Sequence, residues 1–403
     1  MLIIKHIKEL ATCKTNDVIT DATVIIDEGR FIAFGKTSDL CPVYPRREDK
    51  IIDASGIIAL PGFVDCHTHA VFAGSRAEEY RAKIQGEGYA EIHKKGGIMS
   101  TVLATRASSE HGLYIESKER LRQMLSLGTT TIEIKSGYGL TLADEMKILR
   151  VIGRLKKDGP QDIVSTFLGA HTIPPEFRGD RKQYVDLVIK KMLPTIHKAR
   201  LADSIDVFCD ELGFTQEEAE KVLIYGRLYG FSRHVHGEQT SHFGGAEAAA
   251  KFNALSLDHG EFLNDFDISL LKDSGTTVVL LPGVILHLSE WGKVDYPALA
   301  ERLKAAGVPI AFATDHNPGT SPILSMKVVM DLGMRFFRLG YEDCLRAATI
   351  NAAKALGLEQ TLGSVEAGKQ ADLLLVRTSS VAQYLHDIGD IPIATIIKRG
   401  ELI

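Results

Sequence analysis

Residues 60–76, LPGFVDCHTHAVFAGSR, decide how the chain is read. An apolar run ends in two histidines one residue apart, His67 and His69. Residues i and i+2 of a strand share a face, so a strand here would carry both imidazoles side by side at its tip. Two readings stay open at this point: a pair of metal ligands, or two ordinary histidines near a turn.

Working outward, seven more strand-like runs follow: TTTIEIK, DIVSTFLGAH, SIDVFCD, SRHVHG, ALSLDHG, GTTVVLLPG and VPIAFATD. Helical patterns separate most of them. ESKERLRQMLSLG and LADEMKILRVIGRLKKDG each stop on glycine, as helices do. Thr215 with Glu218 reads as a capping box, and Ser321-Pro322 as an N-cap followed by proline at the first helical position. The strands read as continuous apolar runs, which fits burial on both faces. Eight such units predict a (β/α)8 barrel over residues 61–360. The two ends differ. Residues 1–60 and 361–403 read as short strands and turns, with ATVIIDEGRFIAFG as a hairpin. They are expected to pair as a small second domain.

Bulk properties narrow the function. The 403 residues are 45% hydrophobic and 25% charged, with a formal net charge of -5. That charge offers no basic field for a nucleic-acid backbone. No uninterrupted apolar run is long enough for a spanning helix, and MLIIKHIKEL lacks the apolar core of a signal peptide. Five scattered cysteines do not suggest a disulfide framework. The expectation is a cytoplasmic protein with no nucleic-acid or membrane partner.

In such a barrel the active site lies at the C-terminal ends of the strands. Those ends carry His67 and His69; Lys135, followed by SGYGL; His171; Asp210 and Glu211; His234 and His236, then Glu238; Asp258 and His259; and Asp315, followed by HNPGTSP. Strand seven, ending on LPG, is the exception. Two imidazoles from strand one, one from strand five and a carboxylate from strand eight would suit zinc or ferrous iron. The implied chemistry is metal-assisted hydrolysis. Taken singly, each residue has a plainer reading: Asp315 as a helix cap, one of His234 and His236 as a structural histidine, Lys135 as an ion-pair partner.

PGFVDCHTH after a β-rich N-terminus, ATD late in the barrel and GSVEAGKQADLLL near the end resemble the amidohydrolase superfamily. FAGSR, IKSGYGL, LGAHTIPPEF, GGAEAAA, DHGEF and ATDHNPGTSP extend the likeness over nearly the whole chain. The resemblance implies a distorted barrel with a β-sandwich built from both termini, and a homodimer. It implies hydrolysis of a small cyclic amide with a carboxylate tail, using one zinc or iron ion per chain. Metal ligands carry over onto His67, His69, His236 and Asp315, and the catalytic histidine onto His259. Substrate contacts carry over onto Arg76, Tyr89, Tyr138, His171, Asn317, Gly319 and Thr320. Asp315 and Glu238 are the candidate proton carriers, and Gln239 a further substrate contact. The chain departs from the family at Gly237-Glu238-Gln239, at His316 and over residues 284–295, VILHLSEWGKVD. Rival readings are a deaminase, a binuclear cyclic-amide hydrolase bridged by a carbamylated Lys135, and a barrel that binds metal without catalysis.

Overall fold

The computed structural model describes residues 1–41, 50–86 and 96–403. Tyr89 therefore lies outside the described residues. The chain opens with β1 (Leu2–Ala11), β2 (Val18–Asp27), β3 (Arg30–Lys36), β4 (Lys50–Asp53) and β5 (Ile58–Pro61). It closes with β14 (Leu373–Val376), β15 (Ile393–Lys398) and β16 (Glu401–Leu402). These form one eight-stranded sheet in which β14 pairs antiparallel with β5, joining the two ends of the chain. The expected hairpin is present: β2 and β3 are antiparallel, turned by Glu28 and Gly29, both at positive φ. β1 is bulged between Ile4 and Ile7, where His6 has φ 57°. Its first half pairs with β4 and its second half with β5. The bulge lets the sheet fold over a core of Ile4, Ile7, Leu10, Val24, Ile26, Leu373, Leu375 and Ile397.

Between these ends lie eight parallel strands in sequence order: β6 (Phe63–Asp65), β7 (Thr129–Lys135), β8 (Asp162–Ala170), β9 (Ser204–Cys209), β10 (Ser232–Gly237), β11 (Ser256–His259), β12 (Thr277–Leu280) and β13 (Ile310–Phe312). All eight coincide with the runs read from sequence. β6 and β13, three residues each, are too short to close the barrel by a ladder of their own. Closure falls to the residues just beyond them. Asp315 N–H donates to His67 O and His69 N–H to His316 O, each at 3.0 Å. The Asp65 carboxylate accepts both the backbone N–H of Thr314, at 3.0 Å, and its hydroxyl, at 2.6 Å. The barrel is thus distorted at one seam, and the seam carries two of the histidines and the aspartate singled out above.

The helices pack outside. Leu142–Asp158 buries Ile148, Leu149, Ile152 and Leu155 against the barrel, with Thr141 as N-cap. Thr215 and Glu218 form the capping box expected of them. Ser321-Pro322 does not open a helix. That helix begins at Met326, capped by Ser325. Ser321 instead donates its hydroxyl to Thr314 O at 2.6 Å, and its carbonyl accepts from Asn317 N–H. The segment is spent on holding the loop after β13.

A second difference concerns the barrel interior. Every residue of β7 is buried, yet the strand alternates. Ile132 and Ile134 join the main apolar core, while the side chains of Glu133 and Lys135 meet one another and Asp206. Asp206, His234, His236, Ser256 and Asp258 are buried as well. The strands are covered on both faces, as expected, but the inner face is charged rather than apolar. All five cysteines are free thiols. No helix of the described residues is long and apolar enough to cross a membrane.

The Asp65–Thr314 tie makes a stability prediction. Asp65→Ala leaves two buried donors without an acceptor, at about 1–3 kcal/mol each. Urea unfolding should show a lower midpoint with an unchanged slope. An unchanged midpoint would show that the seam does not depend on this carboxylate.

Candidate metal centre

The charged interior converges on one point at the C-terminal mouth. The ring centroids of His67 and His236 lie 4.3 Å apart, those of His67 and His69 5.4 Å, and those of His69 and His236 5.6 Å. Asp315 Oδ1 stands 3.4 Å from His67 Nε2 and 3.5 Å from His69 Nε2. Potential ligand atoms of His67, His69 and Asp315 lie within 4.8 Å of one another, and so do those of His67, His236 and His259. The two triads share His67 and are fully buried.

Whether these residues fit a metal is answered by their unpartnered atoms. His67 Nε2 and His236 Nε2 are buried and have no hydrogen-bond partner, and His69 turns Nε2 toward Asp315 Oδ1 at 3.5 Å. Buried polar atoms are almost always satisfied, so two orphaned imidazole nitrogens beside a third ring and one carboxylate match the needs of a cation. Charge agrees. Burial, reinforced by the neighbouring imidazoles of His171, His67 and His236, pushes His69 well below its ordinary value. Burial likewise drives His236 down to about 3, against the pull of Asp206. Both are held neutral, the form that binds metal.

Behind the ligands is a layer of carboxylates. Asp258 Oδ2 lies 2.6 Å from His67 Nδ1, and Asp206 Oδ2 2.7 Å from His236 Nδ1. The first contact is a hydrogen bond; the second is a close charge contact without hydrogen-bond alignment. Burial opposes the charge on Asp258, but the Lys135 ammonium and His67 hold its carboxyl well below the usual carboxylate range. Burial opposes Asp206 in the same way, and His236 and Lys135 overcome it. Glu133, buried beside them, is pushed up to about 7, chiefly by burial. His234 faces this layer, with Nδ1 2.9 Å from the Ser256 hydroxyl.

The other candidates surround the mouth. His259 lies on its rim, its ring 5.7 Å from that of His236. Burial presses its imidazole down, yet Glu261, Asp315 and Asp258 raise it above the ordinary value. Glu261 Oε1 is 3.8 Å from His259 Nδ1. His171 stacks on His69 at 5.1 Å, and its Nδ1–H donates to Gly137 O at 3.1 Å, which turns Nε2 away from that loop. The Tyr138 ring is 5.6 Å from that of His69. Tyr138 is positioned by Glu145, whose carboxylate accepts from the N–H groups of Gly137, Gly139 and Leu140. The loop can wrap Glu145 this tightly because a Cβ on Gly139 would stand 2.5 Å from the Glu145 backbone nitrogen.

Loop eight is pinned by Asn317, whose Oδ1 accepts from the N–H groups of Gly319 and Thr320 at 2.8 Å each. Thr320 donates its hydroxyl to Asp315 Oδ2 at 3.3 Å. Arg76 reaches this loop from the first strand's side. A Cβ on Gly319 would lie 1.8 Å from Arg76 Nη1, so the glycine makes room for the guanidinium. Arg76 is held there by Glu79, at 2.9 Å from Nε and 2.8 Å from Nη2. The stretch read as divergent begins inside the helix Pro282–Leu288. His287 stacks on Tyr80 at 4.4 Å, and Lys293 donates to Gln239 O at 3.3 Å.

Glu238, read as a candidate proton carrier, and His316, read only as a departure from the family, both have local partners. The Glu238 carboxylate accepts from the N–H groups of Phe243, at 2.7 Å, and Ala246, at 3.1 Å. It holds the start of the helix Gly245–Lys251, and the backbone at Glu238 has φ 56°. His316 is buried against Phe72, ring centroids 5.8 Å apart. Sequence reading missed Asp206, Glu261 and Glu145. Their signal was polarity: a carboxylate inside an apolar strand, a second acid in DHGEF, and an acid at the first turn of a helix that follows a glycine-rich loop.

Comparison with known proteins agrees with this site. A model of the amidohydrolase family matches residues 58–403. The imidazolonepropionase of Shewanella oneidensis is 42% identical over 386 residues, 96% of this chain and 93% of that protein. That of Shewanella putrefaciens is 41% identical over the same shares. Among solved structures, an adenosine deaminase from Xanthomonas campestris with bound zinc superposes with a TM-score of 0.76, at 18% identity, covering 100% of this chain and 92% of that one. A triazine hydrolase variant gives 0.73, again at 18% identity, over 100% and 94%. At such identities these structures support the fold alone.

The orphaned nitrogens predict the outcome of a metal titration. Stripped protein should take up one equivalent of zinc per chain with a rise in Tm, by linkage. His67→Ala and His236→Ala should each abolish the rise. Wild-type protein whose Tm is indifferent to zinc, iron and manganese would contradict the assignment.

Proposed function

This chain belongs to the amidohydrolase family and, within it, to the imidazolonepropionases; on that premise we propose that it hydrolyses 4-imidazolone-5-propanoate to N-formimidoyl-L-glutamate. The observation that carries the reading is the meeting, in one mouth, of a buried His-His-His-Asp set with an arginine that the loop after β13 makes room for. A step in histidine degradation, a cytoplasmic location and a homodimer follow from the same family likeness. A small molecule with a carboxylate tail suits Arg76, whose planar fork matches a carboxylate.

His67, His69, His236 and Asp315 would hold a single zinc or iron ion. When bound, such an ion supplies Lewis acidity and lowers the pKa of water toward 7, so that hydroxide attacks at neutral pH. The chain does the rest. Water activated there would add its oxygen to the ring carbonyl carbon as its proton passes to Asp315, and the ring C–N bond would then break. His259, its imidazole raised toward the protonated form, donates to the carbonyl oxygen as charge gathers there. Asp315 takes the proton from the attacking water and returns it to the departing ring nitrogen. Its second oxygen is steadied by Thr320. Glu238 is excluded from that shuttle because backbone N–H groups already occupy its carboxylate. Arg76 exchanges Glu79 for the propanoate tail, and Tyr138 and His171 line the ring's side of the mouth.

The test is loss of the ultraviolet absorbance of freshly generated imidazolonepropionate on adding the holoprotein. His259→Ala should lower kcat about a hundred-fold while leaving metal content intact. Arg76→Ala should lower kcat/KM roughly ten- to a hundred-fold through KM, the scale of a lost charge-assisted hydrogen bond. Gly319→Ala should do the same by displacing the guanidinium, without lowering Tm. No loss beyond spontaneous decay, in protein with its metal confirmed, would overturn the substrate.

A further inference from the structure

We propose that Lys135 is the positioning residue of the metal centre: a single buried ammonium that holds in place the two carboxylates orienting His67 and His236. The inference rests on the metal-hydrolase reading and deepens it. Lys135 ends β7 and is wholly inaccessible to solvent. Its Nζ lies 2.8 Å from Asp206 Oδ2, 3.2 Å from Asp258 Oδ2 and 2.8 Å from Glu133 Oε2.

The contacts share atoms. The Asp258 oxygen that faces Lys135 is the one 2.6 Å from His67 Nδ1, and the Asp206 oxygen that faces Lys135 is the one 2.7 Å from His236 Nδ1. Each oxygen therefore bridges one ammonium to one imidazole. The carboxylate is hydrogen-bonded to Nδ1 at His67 and in close charge contact with Nδ1 at His236, and Nε2 of both rings has no hydrogen-bond partner. His67 and His236 come from β6 and β10, strands that are not neighbours in the sheet. Lys135 and the two aspartates span that distance as one unit.

The unit depends on its cation. Remove it, and Asp206 and Asp258 lose the ammonium that both contact, so each carboxylate is free to turn and the rings they face lose their restraint. The same crowding removes Lys135 from the role of a carbamate bridge between two metals, since a carbamate would place a fourth negative group among three.

A lysine that merely neutralised charge for folding would leave the metal's affinity and ligand geometry unchanged once charge is rebalanced. The variants are therefore Lys135→Met and the charge-balanced pair Lys135→Met with Glu133→Gln, which loses one buried cation and one buried anion and keeps the fold testable if the single variant is unstable. Zinc affinity by chelator competition and the visible spectrum of the cobalt-substituted protein are read beside circular dichroism and Tm. The folded pair should bind zinc at least about ten-fold more weakly than wild type, the scale of losing a group that orients ligands, with an altered cobalt spectrum. Wild-type zinc affinity and cobalt spectrum in the pair would overturn the role of Lys135. A wild-type chain that binds neither zinc nor cobalt would instead overturn the metal reading, and this inference with it.

Discussion

The seam between the first and last barrel strands is the constraint on which the site depends. β6 and β13 are too short to close the sheet, so the chain beyond them closes it instead. Asp315 N–H on His67 O, and His69 N–H on His316 O, are backbone bonds. They set the spacing of His67, His69 and Asp315, which meet at the candidate metal centre, through the backbone alone. Geometry needed for chemistry and geometry needed for barrel closure are the same bonds. This is why the backbone at Asp315 can persist at φ 48°, and His259 on the adjoining rim at φ 80°: such conformations cost about 1–3 kcal/mol and survive only where surroundings enforce them.

Closure at the seam leaves the interior to be filled, and it is filled with charge. A barrel core of Val, Ile and Leu would be cheaper, since buried ions are repaid only by close and complete pairing. The apolar stabilisation has been moved outward, to the interface between strands and helices, where Ile132, Ile134, Leu149 and Ile152 pack. The strands thus divide their two buried faces by task. The outer face carries the apolar packing; the inner face holds histidines at a set angle. An aligned Asp–His contact, such as that of Asp258 with His67, fixes tautomer and ring orientation, which apolar packing cannot do.

That division explains what could and could not be read from the residues. The eight strands were legible because each is a short run with apolar residues at its centre, most with a helical segment behind them. The cluster was legible where histidine recurs at strand ends, at His67, His69 and His236, with Asp315 after the last strand. Lys135 was legible as an ion-pair partner, but its partners Glu133 and Asp206 were not, because they sit among apolar neighbours and a strand buried on both faces has no solvent side against which to judge its period. Glu238 was misleading for a different reason. Its position after a ligand histidine suggests a proton carrier, but only the left-handed backbone there reveals that its carboxylate turns back onto the amides of Phe243 and Ala246. Ser321 misled similarly: Ser-Pro is a sound helix opening in isolation, and tertiary demand from the Asn317 turn overrides it.

Strands and loops therefore carry separable functions. The ligands are fixed by barrel hydrogen bonds and by ions sealed from water. The residues that would meet a substrate are fixed locally: Tyr138 by one glutamate in a glycine-rich loop, Thr320 by the Asn317 turn, Arg76 by a glycine's missing side chain and a neighbouring glutamate. A change at Tyr138 or Arg76 alters no bond that closes the barrel, and in the second set only Thr320 also touches the candidate ligands, through Asp315. A change in the first set disturbs both at once. The same physics accounts for a fold shared, at 18% identity, with proteins named for deaminase and triazine-hydrolase activities. Loops that the barrel does not constrain are free to differ while such a fold is kept.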